Sequence, residues 1–319
     1  MNMMTPKLLV IGELNVDLIL NKIQAFPQMG KETVADEMDM CLGSSSAIMA
    51  ANIAAMGVDT TFCGVVGDDY FGDFILGELE QRAVNCRHVT RLTGQKTGCT
   101  LVMNYGQDRA NVTFQGVMNE LTIKNIPFEA PGIYQHLHVS SLFLQKGLLN
   151  DIEQIFINAR AAGMTTSLDM QWDPAEQWAF DYARCLPYVD VFMPNESELR
   201  ALTKTDSISS GIQKIQPYLN TLALKMGRNG SMGICGKQQL TVPAFEGPHF
   251  VDAIGAGDSF NAGFIQKYIS GAPLEECLRK GNLMGALNTT AAGGSGAFYD
   301  LNTISENIKK FWGVELSLS

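Results

Sequence analysis

Short apolar runs along the chain are separated by stretches in which apolar residues recur every three or four positions. Lys7 to Ile11 is the first run and reads as a strand. It leads into Gly12-Glu-Leu-Asn-Val-Asp-Leu-Ile-Leu20, where Leu14, Val16, Leu18 and Leu20 alternate with Asn15, Asp17 and Ile19. If the strand continues, Asn15 and Asp17 project together from one face. Buried polar groups need partners, so this pair either satisfies nearby backbone or lines a pocket for a polyol. Lys31 to Cys41 is mixed and fits strands of a small flap. Leu42 to Gly57 is Ala-rich, with a capping signal at its start and a glycine at its end, and reads as a helix. Thr60 to Val66 reads as a strand, followed by the turn Gly67-Asp-Asp-Tyr-Phe-Gly72 and a helix through Arg82; a turn with a helix cap accounts for at least one of Asp68 and Asp69. Gly98 to Tyr105 and Asn111 to Phe114 flank Gly106-Gln-Asp-Arg as a hairpin.

From His136 onward strand and helix alternate, the pattern of a parallel sheet with crossover helices. The pattern predicts strands at His136 to Ser140, Thr165 to Leu168, Val189 to Met193 and Thr221 to Lys225, with helices at Leu148 to Ala162 and Pro174 to Tyr182. Ligands of such sheets gather beyond the carboxyl ends of the strands, where Asp169, Asn195 and Glu198 fall. Asn195 and Glu198 also have the spacing of a helix-capping box, a structural duty compatible with a second one. Gly227 and Gly230 form a turn between Lys225 and a further strand, Ser231 to Cys235. Lys225 at a strand end could reach a phosphate or simply be solvated. Pro273 to Ala291 and Leu301 to Trp312 complete the helices, with a flexible loop at Gly293-Gly-Ser-Gly296.

The chemistry concentrates between Val251 and Ile265. A strand-like lead-in (Phe250, Val251) meets a turn of Gly255, Ala256 and Gly257, and then a helix with Phe260, Phe264, Ile265, Tyr268 and Ile269 at helical spacing. Asp258 falls at or near that helix's start. Helix starts carry unpaired N–H groups and a positive dipole end, so small residues there let an anion approach bare backbone. A carboxylate beside such a hole can accept a hydroxyl proton while the hole stabilises a transferring group, as phosphoryl transfer requires. The dipole should also keep Asp258 ionised. A turn with an N-capping Asp is the structural reading of the same residues.

Asp252, Gly255, Ala256, Gly257, Asp258, Ala262 and Gly263 resemble the C-terminal signature of the PfkB, or ribokinase-like, family of carbohydrate kinases. Ala253 stands where that family commonly has Thr, Ser44 where it has a second Gly, and Ile48 where an early helix Asn would touch the sugar. In order along the chain, Asn15/Asp17, the Gly43 helix, Gly67-Asp-Asp, Asn195/Glu198, Gly227/Gly230 and the 252–258 signature all match, so the resemblance spans nearly the whole chain. It implies an α/β fold, a three-layer α/β/α sandwich with a mostly parallel central sheet, as one kinase domain over 1–319 with a small β-sheet lid drawn from about 14–41 and 96–116. It further implies ATP and Mg²⁺ as cofactors and a sugar as acceptor. By resemblance Asp258 is the base beside the 255–257 anion hole, and Asn15, Asp17 and Gly43 bind the sugar. Asn195, Lys225, Gly227, Gly230 and Asn282 lie along the nucleotide, and Glu198 holds Mg²⁺ through water. Asp252 and the Ile254 carbonyl hold a monovalent cation such as K⁺. Lid hairpins in this family often pair into homodimers. A nucleoside kinase of the same fold and a non-catalytic binding protein are the alternatives.

Composition narrows the partners. The chain has 319 residues, 46% hydrophobic and 18% charged, enough to bury a large core, and a formal net charge of −10 that argues against nucleic acid or an anionic membrane surface as the main partner. Seven cysteines, odd in number and never spaced as Cys-x-x-Cys, suggest reduced thiols and a cytoplasmic setting. Met1 to Lys7 lacks the apolar stretch of a signal peptide, and no run approaches a membrane span. There is no Gly-x-x-x-x-Gly-Lys-Ser/Thr and no Gly-x-Gly-x-x-Gly after the first strand, which speaks against a P-loop ATPase and a dinucleotide dehydrogenase. His136 and His138 share a strand face without Cys or carboxylate spacing, so satisfied histidines are expected there rather than zinc ligands. Kinases of keto-deoxy sugar acids in the family it resembles tend to carry an Arg after an Asp-Pro-Asn run; Asp169-Met-Gln-Trp-Asp173 has none, so the resemblance implies an acceptor that is not a sugar acid.

Overall fold

A computed structural model describes residues 7–105, 108–128, 132–247 and 250–315. The first half contains β1 (Lys7–Ile11), β2 (Asn15–Asn21), β3 (Glu37–Leu42), α1 (Ser45–Ala55), β4 (Asp59–Gly67), α2 (Tyr70–Gln81), β5 (Asn85–Leu92), β6 (Gly98–Tyr105), β7 (Asp108–Phe114) and β8 (His136–Ser140). The second contains α3 (Lys146–Leu149), α4 (Ile152–Ala161), β9 (Thr165–Asp169), α5 (Tyr182–Cys185), β10 (Val191–Phe192), α6 (Glu196–Thr203), α7 (Ile208–Ile215), β11 (Thr221–Lys225), β12 (Ser231–Cys235) and β13 (Gln238–Val242). Three helices close it: α8 (Ala256–Ile269), α9 (Leu274–Asn288) and α10 (Leu301–Trp312).

The large sheet runs β13-β12-β11-β10-β9-β8-β1-β4-β5, parallel from β11 to β5, with β12 and β13 antiparallel at one edge. Because successive side chains of a strand face opposite ways, β1 shows why its run is apolar throughout. Leu8 and Val10 pack with residues of α1, α2, α8, α9 and α10 on one face, whereas Leu9 and Ile11 pack with α4, α6 and α7 on the other. Two helical layers therefore cover a buried sheet, the expected three-layer sandwich. A separate four-stranded sheet, β3-β2-β6-β7, combines antiparallel and parallel pairing. Its Ile19 and Val102 pack on Ile254, beside the turn that starts α8. In the β6–β7 hairpin Tyr105 pairs with Asp108; Gly106 and Gln107 of the expected turn lie outside the described residues.

Several sequence expectations need correction. The helix expected over Pro174 to Tyr182 does not form; α5 begins only at Tyr182. Instead the Asp173 carboxylate accepts the backbone N–H groups of Ala175 (2.9 Å), Gln177 (2.9 Å) and Trp178 (2.7 Å), and Glu176 and Trp178 adopt left-handed φ values of 53° and 52°. Trp178 is thereby buried edge-on against Trp172 and Phe143, at 5.0 and 5.5 Å between ring centroids, so tertiary packing overrides local propensity. The helix expected from Leu148 divides into α3 and α4, because Asn150 and Asp151 turn the chain between them; Asp151 N–H donates to the Leu148 carbonyl at 2.9 Å. The lead-in at Phe250 and Val251 joins no ladder, since Val251 N–H donates to the Thr289 carbonyl past the end of α9 (2.8 Å). In the flap stretch only Glu37 onward is a strand. Strands β5 and β13, which the hydrophobic pattern did not predict, are the two edges of the large sheet; half-exposed, they carry too many polar residues to stand out.

Candidate active site

Five neighbouring parallel strands end on one rim of the sheet. They deliver Glu13 after β1, Ser140 at the end of β8, Asp169 at the end of β9, Asn195 after β10 and Lys225 at the end of β11. The starts of α1 and α8 close over this rim, where Ser45 meets Asp258.

Gly255 caps α8 with φ 73°, and a Cβ there would stand 2.5 Å from Gly294 Cα and 3.1 Å from Ile48 Cγ2. Both conformation and packing therefore require glycine. A Cβ on Gly257 would meet only Lys225, with Nζ at 3.6 Å. Among the described residues no acceptor reaches the N–H of Gly257 or Asp258. The helix start thus presents bare donors beside a cation, an arrangement suited to a phosphate.

Asp258, the third residue of α8, is buried. Its Oδ1 accepts bonds from Ser45 Oγ at 2.5 Å and Gln171 Nε2 at 3.1 Å, while among the described residues no donor reaches Oδ2. The expectation that the helix end keeps this carboxylate ionised meets an opposing burial. Burial pushes it up to about 7, with Asp169 adding to the rise and Ser45 and Lys225 pulling back. A helix terminus contributes about 0.3–1 kcal/mol at a surface, less than the several kcal/mol that desolvating a charge involves.

Lys225 is mostly enclosed rather than solvated. Its Nζ lies 2.5 Å from Asp169 Oδ2, the same oxygen that Asn261 Nδ2 (2.5 Å) and Gln171 Nε2 (3.2 Å) approach. Burial alone would lower the lysine, but the charges of Asp169, Glu198 and Asp258 outweigh it and hold the ammonium above its ordinary range. Asn195 and Glu198 form the expected capping box: Asn195 N–H and Nδ2 donate to the Glu198 carboxylate at 2.8 and 2.7 Å, and Glu198 N–H donates to Asn195 Oδ1 at 2.9 Å. Burial, then Asp169, pushes Glu198 up to about 7. A β-bridge between Asn195 and Lys225 fixes the two strand ends together.

On the side of the small sheet, Asn15 and Asp17 are buried and bonded to each other, Nδ2 to Oδ1 at 3.0 Å, with Thr100 Oγ1 at 2.9 Å. Burial raises Asp17 to about 6, with Asn15 and Arg109 opposing. A Cβ on Gly43 would stand 2.4 Å from Asp17 Oδ1 and 2.9 Å from Asn15 Nδ2, so this glycine lets the backbone approach both polar groups. Gly230 and Asn282 come together in a structural role: a Cβ on Gly230 would lie 2.1 Å from the Val242 carbonyl, and Asn282 Nδ2 donates to the carbonyls of Val242 (3.0 Å) and Pro243 (3.1 Å). Gly227 faces open space. Asp252 accepts Ile254 N–H at 2.7 Å and Gly293 N–H at 2.9 Å, and the Ile254 carbonyl accepts Asn288 Nδ2 at 2.5 Å, which knots the turn ahead of α8.

Sequence reasoning assigned no role to Glu13, Ser45, Gln171 or Asn261. Glu13 is buried in the turn after β1, accepting from Ser46 Oγ at 2.7 Å, and burial pushes it up to about 7. Asn261 carried a signal, since three residues beyond Asp258 it shares that helix face. His136 and His138 are satisfied as expected, each ring nitrogen 2.7 Å from a Ser or Thr hydroxyl, and burial lowers both to about 3. Asp69 caps α2 through Gly72 N–H at 3.0 Å.

Comparison with known proteins agrees with this geometry. Residues 5–299 match the family model described as pfkB family carbohydrate kinase. The chain is 28% identical over 236 residues to an uncharacterised sugar kinase of Archaeoglobus fulgidus, covering 73% of this chain and 92% of that protein. It is 26% identical over 309 residues to the deoxyribokinase of Salmonella typhi, covering 93% and 97%. Among solved structures, Arabidopsis thaliana ribokinase complexed with ribose and ATP superposes with a TM-score of 0.77 at 23% identity, over 96% of this chain and 99% of that one. With the signature turn, the capped Asn-x-x-Glu helix and the ribokinase-like sandwich all present in one matched span, the chain belongs to the PfkB family of carbohydrate kinases.

Proposed function

We propose that this kinase transfers a phosphoryl group from ATP to a hydroxymethyl group of a small, uncharged sugar. The observation that carries the reading is the placement of Asp258, with one oxygen held by Ser45 and Gln171, beside the bare donors of Gly257 and Asp258 and the Lys225 ammonium. Those donors and Lys225 suit the γ-phosphate, and the buried Glu198 suits a water-mediated contact to Mg²⁺, whose charge would offset that of the phosphates. Asp258 accepts the proton of the attacking hydroxyl, and Asn15, Asp17 and Gly43 orient the sugar. The 169–173 run carries no Arg of the kind used by the family's sugar-acid kinases, which supports an uncharged acceptor. Asp258→Asn should lower kcat by about 10²–10⁴-fold with sugar binding little changed; near-normal turnover would refute the assignment. A panel of D-ribose, 2-deoxy-D-ribose, D-fructose and adenosine, read by ADP release, separates sugar kinase, nucleoside kinase and non-catalytic binder.

Asp252 and the Ile254 carbonyl are the proposed K⁺ ligands. Replacing K⁺ by tetramethylammonium should slow turnover, and an unchanged rate removes this site. The small sheet is the proposed lid of a single domain, which predicts coincident unfolding by fluorescence and circular dichroism; two separate transitions would refute it. A second copy could pair with the edge strand β7, where Val112 and Phe114 share an exposed face; a monomer in light scattering excludes that. No helix among the described residues is long and apolar enough to cross a membrane. The free cysteines fit a reducing cytoplasm, and location in another compartment by fractionation would refute that placement.

A further inference from the structure

The loop after β9 holds Gln171 in the left-handed region, φ 60°, where a side chain with a Cβ is unfavourable. The Asp173 bonds and the Trp178 packing fix the later part of this loop but do not touch Gln171. Its backbone N–H makes one long bond to Asp169 Oδ1 at 3.4 Å, and its carboxamide makes the closer contacts: Nε2 lies 2.9 Å from Ser45 Oγ, 3.1 Å from Asp258 Oδ1 and 3.2 Å from Asp169 Oδ2. Two amide hydrogens cannot serve three acceptors at once, so the group sits at a branch point. Ser45 donates to the same Asp258 oxygen. Oδ1 is thus gripped from two sides and Oδ2 from none among the described residues.

We infer that Gln171 is a positioning residue for phosphoryl transfer: with Ser45 it clamps Asp258 so that Oδ2 faces the acceptor hydroxyl, and it bridges Asp258 to Asp169 so that two buried carboxylates can sit side by side. The inference rests on the reading of Asp258 as the base. As the new O–P bond forms, the hydroxyl proton goes to Oδ2, and the electron pair of the breaking P–O bond leaves with ADP. Gln171 takes no proton and touches neither reacting atom. Its donor favours the ionised carboxylate, as do Ser45 and Lys225, against the charges of Asp169 and Asp17 on Asp258, and of Asp258 on Glu13 and Glu198. Without the carboxamide, ionisation of Asp258 moves to higher pH.

The test is Gln171→Gly, which relieves the left-handed backbone while deleting the carboxamide. ADP release is measured from pH 5.5 to 9 with whichever of D-ribose, 2-deoxy-D-ribose, D-fructose or adenosine turns over fastest. The expected result is a kcat lower by about 10- to 100-fold, the loss of one charge-assisted hydrogen bond, with acceptor KM little changed. The acid limb of kcat should move to higher pH while the melting temperature stays the same or rises. A wild-type kcat and acid limb would overturn the inference, as would a kcat loss that tracks a lower melting temperature with the limb unmoved. Asp258→Asn is run alongside. If that variant keeps turnover, the base assignment and the inference fall together; if it is inactive while Gln171→Gly behaves as wild type, only the inference fails.

Discussion

Replacing Lys225 by Met would keep the aliphatic stem and remove the ammonium from the middle of the site. In the native chain Nζ lies 2.5 Å from an Asp169 carboxylate that has no solvent exposure, and the lysine side chain is itself only 12% exposed. Deleting one partner of such a pair costs about 3–5 kcal/mol, because the remaining charge is buried without its counter-ion. Asn261 and Gln171 still donate to Asp169, which places the expected loss near the lower end, about 3 kcal/mol. Urea unfolding at pH 7.5 measures it, with an unchanged m-value confirming that both states stay comparable. Adding Asp169→Asn removes the stranded charge and should restore about 2 kcal/mol of that loss. Turnover should not return in the double variant, since the cation beside Gly257 is still missing. A single variant destabilised by less than about 1 kcal/mol, or a double variant no more stable than the single, would refute the buried-pair argument.

The raised carboxylates outnumber the lowered histidines, so together these groups should make stability fall as pH rises from about 5 to 8. Asp258, Glu13 and Glu198 are raised to about 7 and Asp17 to about 6, so between their ordinary and raised values the folded state binds more protons than the unfolded one, and stability declines as pH rises through that range toward 8. His136 and His138 are lowered to about 3, so below their ordinary value of 6.5 the unfolded chain takes up protons that the folded one refuses, a contribution of opposite sign that two histidines carry against four carboxylates and that reduces the slope without reversing it. A urea midpoint that rises steadily from pH 5 to pH 8 would contradict this balance. Gly43→Ala should raise acceptor KM by about tenfold or more, because its Cβ would displace both Asn15 and Asp17, while KM for ATP stays near native; an unchanged acceptor KM would remove Gly43 from the sugar side.

How far the sequence reached can be judged element by element. Short buried runs and stretches at strict helical spacing were legible: β1, β8, β11, β12 and α10 fall where the pattern places them, because burial of a strand or helix face is a local compositional fact. The edge strands β5 and β13 were not, since half-exposed edges carry no apolar run, nor was the Asp173 loop, where side-chain bonds to backbone and the packing of Trp178 on Phe143 override the helical spacing. Motif spacing likewise marked the α8 start, the Asn195–Glu198 cap and Gly43, each of which depends on residues close together in the chain.

By itself, then, the sequence determined which residue types could do the chemistry and that a parallel sheet would carry them. Only the tertiary structure decided how they act on one another. It put Asp169, Lys225 and Asp258 into one buried network, it placed Gln171 in a conformation that no propensity favours, and it raised carboxylates that a helix end alone would leave low. The physical reason is that desolvation and like-charge proximity grow with burial and short distance, and neither is set until strands far apart in the chain end on the same rim.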